Sequence, residues 1–279
     1  MNFSSYTKTA DDLRHQIQWI DNVILNETEV LDAYRTIFNC IDLTSLEATD
    51  NNESIELLCQ KALDYKNVGD GTAVAAVCVY MPFVRQSKTH LNGSVLQVAT
   101  VACSFPSGQI PLELKLAEVR WAVSEGADEI DMVISRGSMI ARDFDLVFNE
   151  IKAVKEVCGN AHLKVILETG ELKSVELIRK ASEIALLAGA DFLKTSTGKI
   201  NPAATPDAVV VMLDTIHEFY QKTGKKAGLK PAGGIADPES ALLYYKLVKN
   251  IVGDEWLNNR LFRIGASRLA DKVKALISN

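Results

Sequence analysis

From Asp11 to Thr36 apolar residues recur at helical spacing, with Leu13, Ile17, Ile20, Ile24 and Leu25 interspersed with acids. This pattern predicts a helical preface. Beyond it the pattern shortens to β-rich apolar runs: "TIFNCIDLT", "TAVAAVCVYM", "VLQVATVACSF", "DEIDMVIS", "HLKVILETG", "ADFLKTSTG", "KAGLKPAGG" and "RLFRIGAS". Each of the first seven is followed by a segment with helical periodicity. In "PLELKLAEVRWAVSEGA", Pro111 suits a first helical turn, and Leu112, Leu116, Val119 and Val123 form one stripe that ends at Gly126. In "DFDLVFNEIKAVKEVCG", Phe144, Val147, Phe148, Ile151 and Val154 repeat the arrangement, and Gly159 stops it.

Strands alternating with helices imply parallel pairing through βαβ crossovers. Eight such strands in one domain predict an α/β fold closed into a (β/α)8 barrel, the TIM-barrel architecture. The alternative, an open doubly wound sheet, usually carries a Gly-rich dinucleotide turn early, and the first βα junction here, "IDLTSLEATDN", has no G-x-G-x-x-G. The expected organisation is an N-terminal helical extension over residues 1–35, packed on a barrel domain over residues 36–279. The extension is expected either to cap the barrel bottom or to contribute to a homodimer interface.

Composition narrows the function. Of 279 residues, 47% are hydrophobic and 24% charged, which is globular rather than disordered chemistry. A formal charge of -6 argues against a nucleic-acid partner, because phosphate-backbone affinity comes from clustered Lys and Arg. Five cysteines, odd in number and without a C-x-x-C pair, make a disulfide framework or zinc site unexpected. The four histidines show no ligand spacing, so no metal is expected. Without a basic, apolar leader or a membrane-length apolar run, the expectation is a cytoplasmic protein with no membrane partner.

Candidate chemistry lies at the C-terminal strand ends, the active face of such barrels. These ends carry Asp42, Tyr80, Cys103, Asp131, Glu168, Lys194, Lys230 and the Gly265-Ala266-Ser267 stretch. Alternation places Phe192 with Lys194 and Ile166 with Glu168, which points Lys194 and Glu168 into the mouth. Each lysine alone is compatible with a side chain reaching water at a strand end. Two ammonium groups converging in a partly dry mouth would instead depress the pKa of one and make a nucleophilic amine. Asp131, flanked by apolar neighbours in "DEIDMVI", needs a cationic partner if buried, either as a structural ion pair or as a proton relay. After the sixth, seventh and eighth strands come "TGK" (Thr197, Gly198, Lys199), "AGGI" with Gly233 and Gly234, and "GAS" with Gly265 and Ser267. Each cluster alone reads as a turn; together they read as an anion cradle. Cys78 in "AAVCVYM" reads as a small core residue near the mouth.

"DFLKTSTGK", "GLKPAGGI", "DEIDMVI", "IDLTSL" and "FRIGAS" together resemble the deoxyribose-phosphate aldolase family, with "LETGELK" and "ATVACSFPSG" between them, over about Thr36 to Leu269. The resemblance implies a cofactor-free class I aldolase that interconverts 2-deoxyribose 5-phosphate with acetaldehyde and glyceraldehyde 3-phosphate. It implies Lys194 as the Schiff-base lysine, Lys230 as the neighbour lowering its pKa, and Asp131 in proton transfer. It also implies phosphate contacts at Gly198, Lys199, Gly233, Gly234, Gly265 and Ser267, and places Asp42 and Cys78 in the substrate pocket. Thr197 joins the substrate-binding set. The partners expected are a phosphosugar and aldehydes.

Two departures from the family pattern stand out. The sequence ends "DKVKALISN", without the tail tyrosine that some members use for proton transfer, so that role falls to water held by Asp131 and Lys230. Arg268 stands where several members carry a second serine, and Ala236 where some carry an arginine. Another Schiff-base barrel such as a transaldolase, a carboxylate-based phosphosugar isomerase, and a non-catalytic phosphosugar binder remain the alternatives.

Overall fold

A computed structural model describes residues 2–65 and 73–278. Thr72, where the second apolar run begins, lies outside the described residues. Eight strands follow the predicted runs: β1 (Ile41–Thr44), β2 (Ala76–Tyr80), β3 (Gln97–Ala102), β4 (Glu129–Val133), β5 (His162–Ile166), β6 (Phe192–Lys194), β7 (Gly228–Lys230) and β8 (Ile264–Ala266). All are parallel, in the order β7-β6-β5-β4-β3-β2-β1-β8. Parallel bridges Leu229 to Phe262 and Ala232 to Gly265 join the two ends of that order and close the (β/α)8 barrel.

The preface forms two helices, α1 (Ala10–Asp21) and α2 (Glu27–Asn39). Capping boxes start both, Thr9 with Asp12 and Asn26 with Glu29, so each pair satisfies orphan N–H groups reciprocally. Ile24 is 93% exposed, because the helical stripe ends at Ile20 and the linker between the helices begins at Asn22. The first apolar run is divided. Residues 36–39 form the last turn of α2, and only Ile41 onward is strand, so a boundary at 35/36 falls inside a helix. α1 packs on α10 (Pro206–Thr223) and α11 (Pro238–Ile251), whereas α2 packs on α11 and α12 (Leu269–Ile277).

The remaining helices are α3 (Asn52–Asp64), α4 (Val84–His90), α5 (Leu112–Ser124), α6 (Arg136–Ile140), α7 (Phe144–Val157), α8 (Thr169–Leu172) and α9 (Val175–Leu187). Among the described residues, no helix is long and apolar enough to cross a membrane. Thr205-Pro206 and Asp237-Pro238 start α10 and α11 with a capping side chain followed by proline, which needs no N–H donor there. Those starts delimit the glycine loops after β6 and β7.

The main apolar core fills the space between strands and helices. A second, small cluster of Leu46, Cys78, Ala99 and Val101 is separate from it. Phe192 is also buried, and its ring depends on Gly228: a Cβ at that glycine would lie 2.2 Å from the ring. Gly228→Ala should therefore cost about 1–3 kcal/mol of stability through overpacking. Urea denaturation measures this, and an unchanged midpoint would mean that the ring has room to move.

Candidate active site

Strand register gathers the buried charges. Asp131 pairs in register with Lys164, and Lys194 with Lys230. Asp131 accepts through Oδ2 from Lys194 Nζ at 2.7 Å and Lys230 Nζ at 2.8 Å, and through Oδ1 from Lys164 Nζ at 2.9 Å. Lys230 Nζ also lies 2.5 Å from Asp42 Oδ2, an ion pair that lacks hydrogen-bond alignment. Deeper, Arg263 donates to Asp42 Oδ1 and Glu129 Oε1, each at 2.6 Å, and Lys164 donates to Glu129.

The charge count decides which group gives way. Among the described residues, Lys164, Lys194, Lys230 and Arg263 face Asp42, Glu129 and Asp131, so four cations share three carboxylates. All seven are at most 5% exposed, so bulk water does little to relieve the surplus charge. Burial, then the Lys230 charge, depresses the Lys194 amine, against the attraction of Asp131. For Lys230 burial also opposes charge, but Asp131 and Asp42 outweigh it and hold the amine well above the ordinary range. Lys164 is likewise raised by Asp131 and Glu129 despite burial. Asp131 stays ionised far below the usual carboxylate range: burial opposes this, but three lysines overcome it. With Lys194 neutral, three cations balance three carboxylates.

Above this network opens a cavity of about 240 Å³, and Lys194 lines it. So do Gly198, Lys199, Gly233, Gly234, Gly265, Ser267 and Thr197, which the fold brings together from three loops. Among the described residues, the N–H groups of Gly198, Gly233 and Gly234 make no hydrogen bond, so they remain available to an anion. Gly233 has φ +84°, and a Cβ there would lie 2.6 Å from that of Ala203 and 2.9 Å from Gly198 Cα. Only glycine allows these loops to approach this closely.

Three of the expected substrate contacts are committed elsewhere. The Gly265 N–H donates to Pro231 O, so this residue offers close approach rather than a donor. Thr197 gives both its N–H and its hydroxyl to Glu168. Lys199 Nζ donates to Leu46 O at 2.5 Å and lies 3.8 Å from Glu47, tying the loop after β1 to the loop after β6. Asp42 and Cys78 are fully buried. Burial pushes the Cys78 thiol up, and the Lys230 and Lys194 charges only partly oppose this.

Glu168 does not point into the mouth beside Lys194. β5 ends at Ile166, and Glu168 adopts a left-handed φ of 54°, so strand alternation no longer applies. Its buried carboxyl, raised chiefly by burial, holds the Thr197 loop and faces Arg136 at 3.5 Å. Cys103, also at positive φ, is buried, and burial pushes its thiol up against the opposing charge of Lys115 on α5. Tyr80 stacks edge-on against Phe105.

Lys164, Glu129 and Arg263 are site residues that the sequence reading did not single out. Lys164 and Arg263 carry the signal that marks Lys194, a charge inside an apolar run, whereas Glu129 directly follows Asp128. Glu129 stands two residues before Asp131, and Lys164 two before Ile166.

A parallel barrel with a lysine cluster under its strand ends and a glycine-lined cavity above belongs among the carbonyl-handling barrel enzymes. The DeoC/LacD family aldolase model matches residues 36–253. Human deoxyribose-phosphate aldolase is 41% identical over 290 aligned positions, covering 94% of this chain and 91% of its own. A candidate deoxyribose-phosphate aldolase from Coccidioides immitis superposes with a TM-score of 0.75 at 26% identity, over 97% of this chain and 98% of that one. The tetrameric deoxyribose phosphate aldolase of Aeropyrum pernix shares the fold, with a TM-score of 0.68 at 24% identity over 96% and 97% of the two chains. This chain belongs to the DeoC/LacD aldolase family and is a carbon–carbon lyase.

Replacing Lys230 by Met removes the repulsion that helps depress Lys194, so the Lys194 pKa should rise. In a mechanism that uses the neutral amine of Lys194, the limb of activity that climbs with pH should then move to higher pH. A pH–kcat/KM profile of the variant checks this, and a limb that stays in place would remove Lys230 from the tuning.

Proposed function

We propose that the chain cleaves 2-deoxyribose 5-phosphate to acetaldehyde and glyceraldehyde 3-phosphate, and catalyses the reverse addition, through a Schiff base on Lys194. The observation carrying this reading is a buried amine, depressed by burial and by Lys230, on the wall of a cavity whose other side offers unpaired glycine N–H groups. A phosphosugar needs both features, an electrophile trap at one end and an anion cradle at the other.

Neutral Lys194 attacks the C1 carbonyl of the open-chain sugar. Loss of water gives a protonated imine, the electron sink for breaking the C2–C3 bond. Water held by ionised Asp131 takes the C3 hydroxyl proton as the C3 carbonyl forms and glyceraldehyde 3-phosphate leaves. The enamine that remains takes a proton at C2, and hydrolysis returns acetaldehyde and the free amine. Lys230 stays protonated throughout, which keeps Asp131 anionic and its water oriented.

Mass spectrometry after incubation with 2-deoxyribose 5-phosphate and sodium borohydride should place a reduced adduct on Lys194. Lys194→Ala should lose the adduct and at least about a thousandfold of kcat, since it removes the covalent step itself. Substrate turnover without any adduct would replace the covalent mechanism by a carboxylate-based one.

A further inference from the structure

A second set of charged side chains joins the loops after β3, β4 and β5, and the chemistry above makes no use of it. At its base the buried Lys115 of α5 donates to Ser135 Oγ at 2.7 Å and to Glu150 of α7 at 3.0 Å, which fixes the start of α6. Arg136, the first residue of α6, reaches from there in two directions. One terminal nitrogen donates to the carbonyls of Pro106 and Ser107, at 3.0 and 2.9 Å. The other pairs with Glu171 at 2.7 Å and with Glu168 at 3.5 Å. Its planar, permanently charged guanidinium thus bridges the loop after β3 to α8 and the turn before it.

The loop after β3 depends on such side-chain support, because the strand ends at Ala102 and Pro106 and Ser107 are exposed. Cys103 and Ser104 stand at φ of 62° and 58°, a conformation that persists for residues with a Cβ only where the surroundings hold it. The Ser104 N–H donates to Glu118 at 2.8 Å, and Gly108 passes so close to the end of β4 that a Cβ there would lie 2.7 Å from Ile134 O. Between these anchors sits the half-buried Phe105. Its ring meets Tyr80 edge-on, with centroids 6.1 Å apart, and both rings pack on Leu46, Cys78, Ala99 and Val101. Leu46 lines the cavity with Lys194, and Val101 pairs in register with Asp131, which accepts from Lys194. An apolar wall therefore stands beside the amine, and Phe105 joins it from a loop that Arg136 holds.

We propose that Arg136 is a positioning residue for donor selection: by clamping the loop after β3 it keeps Phe105 against the apolar wall, which limits the carbon chain that an imine on Lys194 can carry. This inference deepens the Schiff-base reading above and rests on it. Arg136 itself touches no reacting atom. A closely packed wall beside a two-carbon donor leaves a third carbon no space, and one methylene in such a pocket is worth about ten- to two-hundredfold in discrimination. Without the clamp Phe105 can move outward, and the longer aldehyde gains most.

The test gives the protein equimolar acetaldehyde and propanal with sodium cyanoborohydride. Each aldehyde condenses with the amine and loses water, hydride reduces the imine, and peptide mass spectrometry reads the ratio of ethylated to propylated Lys194. Exposed lysines in the same sample supply the ratio without a wall. The parent should favour the two-carbon adduct on Lys194 by at least about tenfold, and Arg136→Met should cut that preference at least about fivefold. Arg136→Lys keeps a donor for the loop carbonyls and should recover part of it, whereas Phe105→Ala should lose it as fully as Arg136→Met. A preference unchanged in Arg136→Met, with thermal unfolding showing the variant folded, overturns the positioning role, and so does a loss that Phe105→Ala does not reproduce. If Arg136→Met does not fold, Arg136→Lys set against Phe105→Ala decides by the same criteria. A parent that forms both adducts on Lys194 without cleaving 2-deoxyribose 5-phosphate defeats the substrate assignment alone, and the ratio still decides the role of Arg136. A parent with no adduct on Lys194 overturns the Schiff-base reading and this inference with it.

Discussion

One carboxylate, Asp131, is shared by three lysine amines buried from bulk solvent beneath the cavity, and the rest of the site follows from that arrangement. Buried charges persist only when paired, and removing one partner leaves another stranded. Here the pairing leaves one positive charge over. The amine that is depressed is Lys194, the member of the network that also lines the cavity, because burial and the Lys230 charge outweigh its attraction to Asp131. Lys164 has three carboxylates within 4 Å and Lys230 two, and both amines are raised. A structural constraint, charge balance in a buried network, thus weighs most heavily against the protonated form of Lys194.

Arg263 and Glu129 extend that constraint downward. Glu129 holds Arg263, and Arg263 anchors Asp42, which in turn holds Lys230. The network therefore behaves as a unit, and effects of altering its members should not add independently.

Around the mouth, loops are held by side chains rather than by strand ladders. Glu168 occupies a left-handed conformation costly for a residue with a Cβ, and its hydrogen bonds to Thr197 repay that by fixing the loop that carries Gly198. Lys199 performs a similar service toward the loop after β1. Residues whose types suggest ligand contacts thus shape the cradle, while backbone N–H groups face its space.

Much of this was legible in the chain. Periodicity marked all eight strands, because strands buried on both faces must be continuously apolar and because capping residues and glycines punctuate the helices. Lys194, Lys230 and Asp131 stood out as charges placed where apolar residues belong. Ile24 and the division of "TIFNCIDLT" were not legible, since a helix end and a strand start are both apolar there. Sequence alone determined the barrel, the strand-end lysines and the glycine loops, because these follow from local pattern and residue chemistry. Tertiary structure alone decided that Lys164, Glu129 and Arg263 complete the network, that Glu168 turns away, and that Lys199 is engaged by the loop after β1. Those outcomes depend on register and distance between residues remote in sequence, and a pattern along one chain carries no information about which charges share a carboxylate.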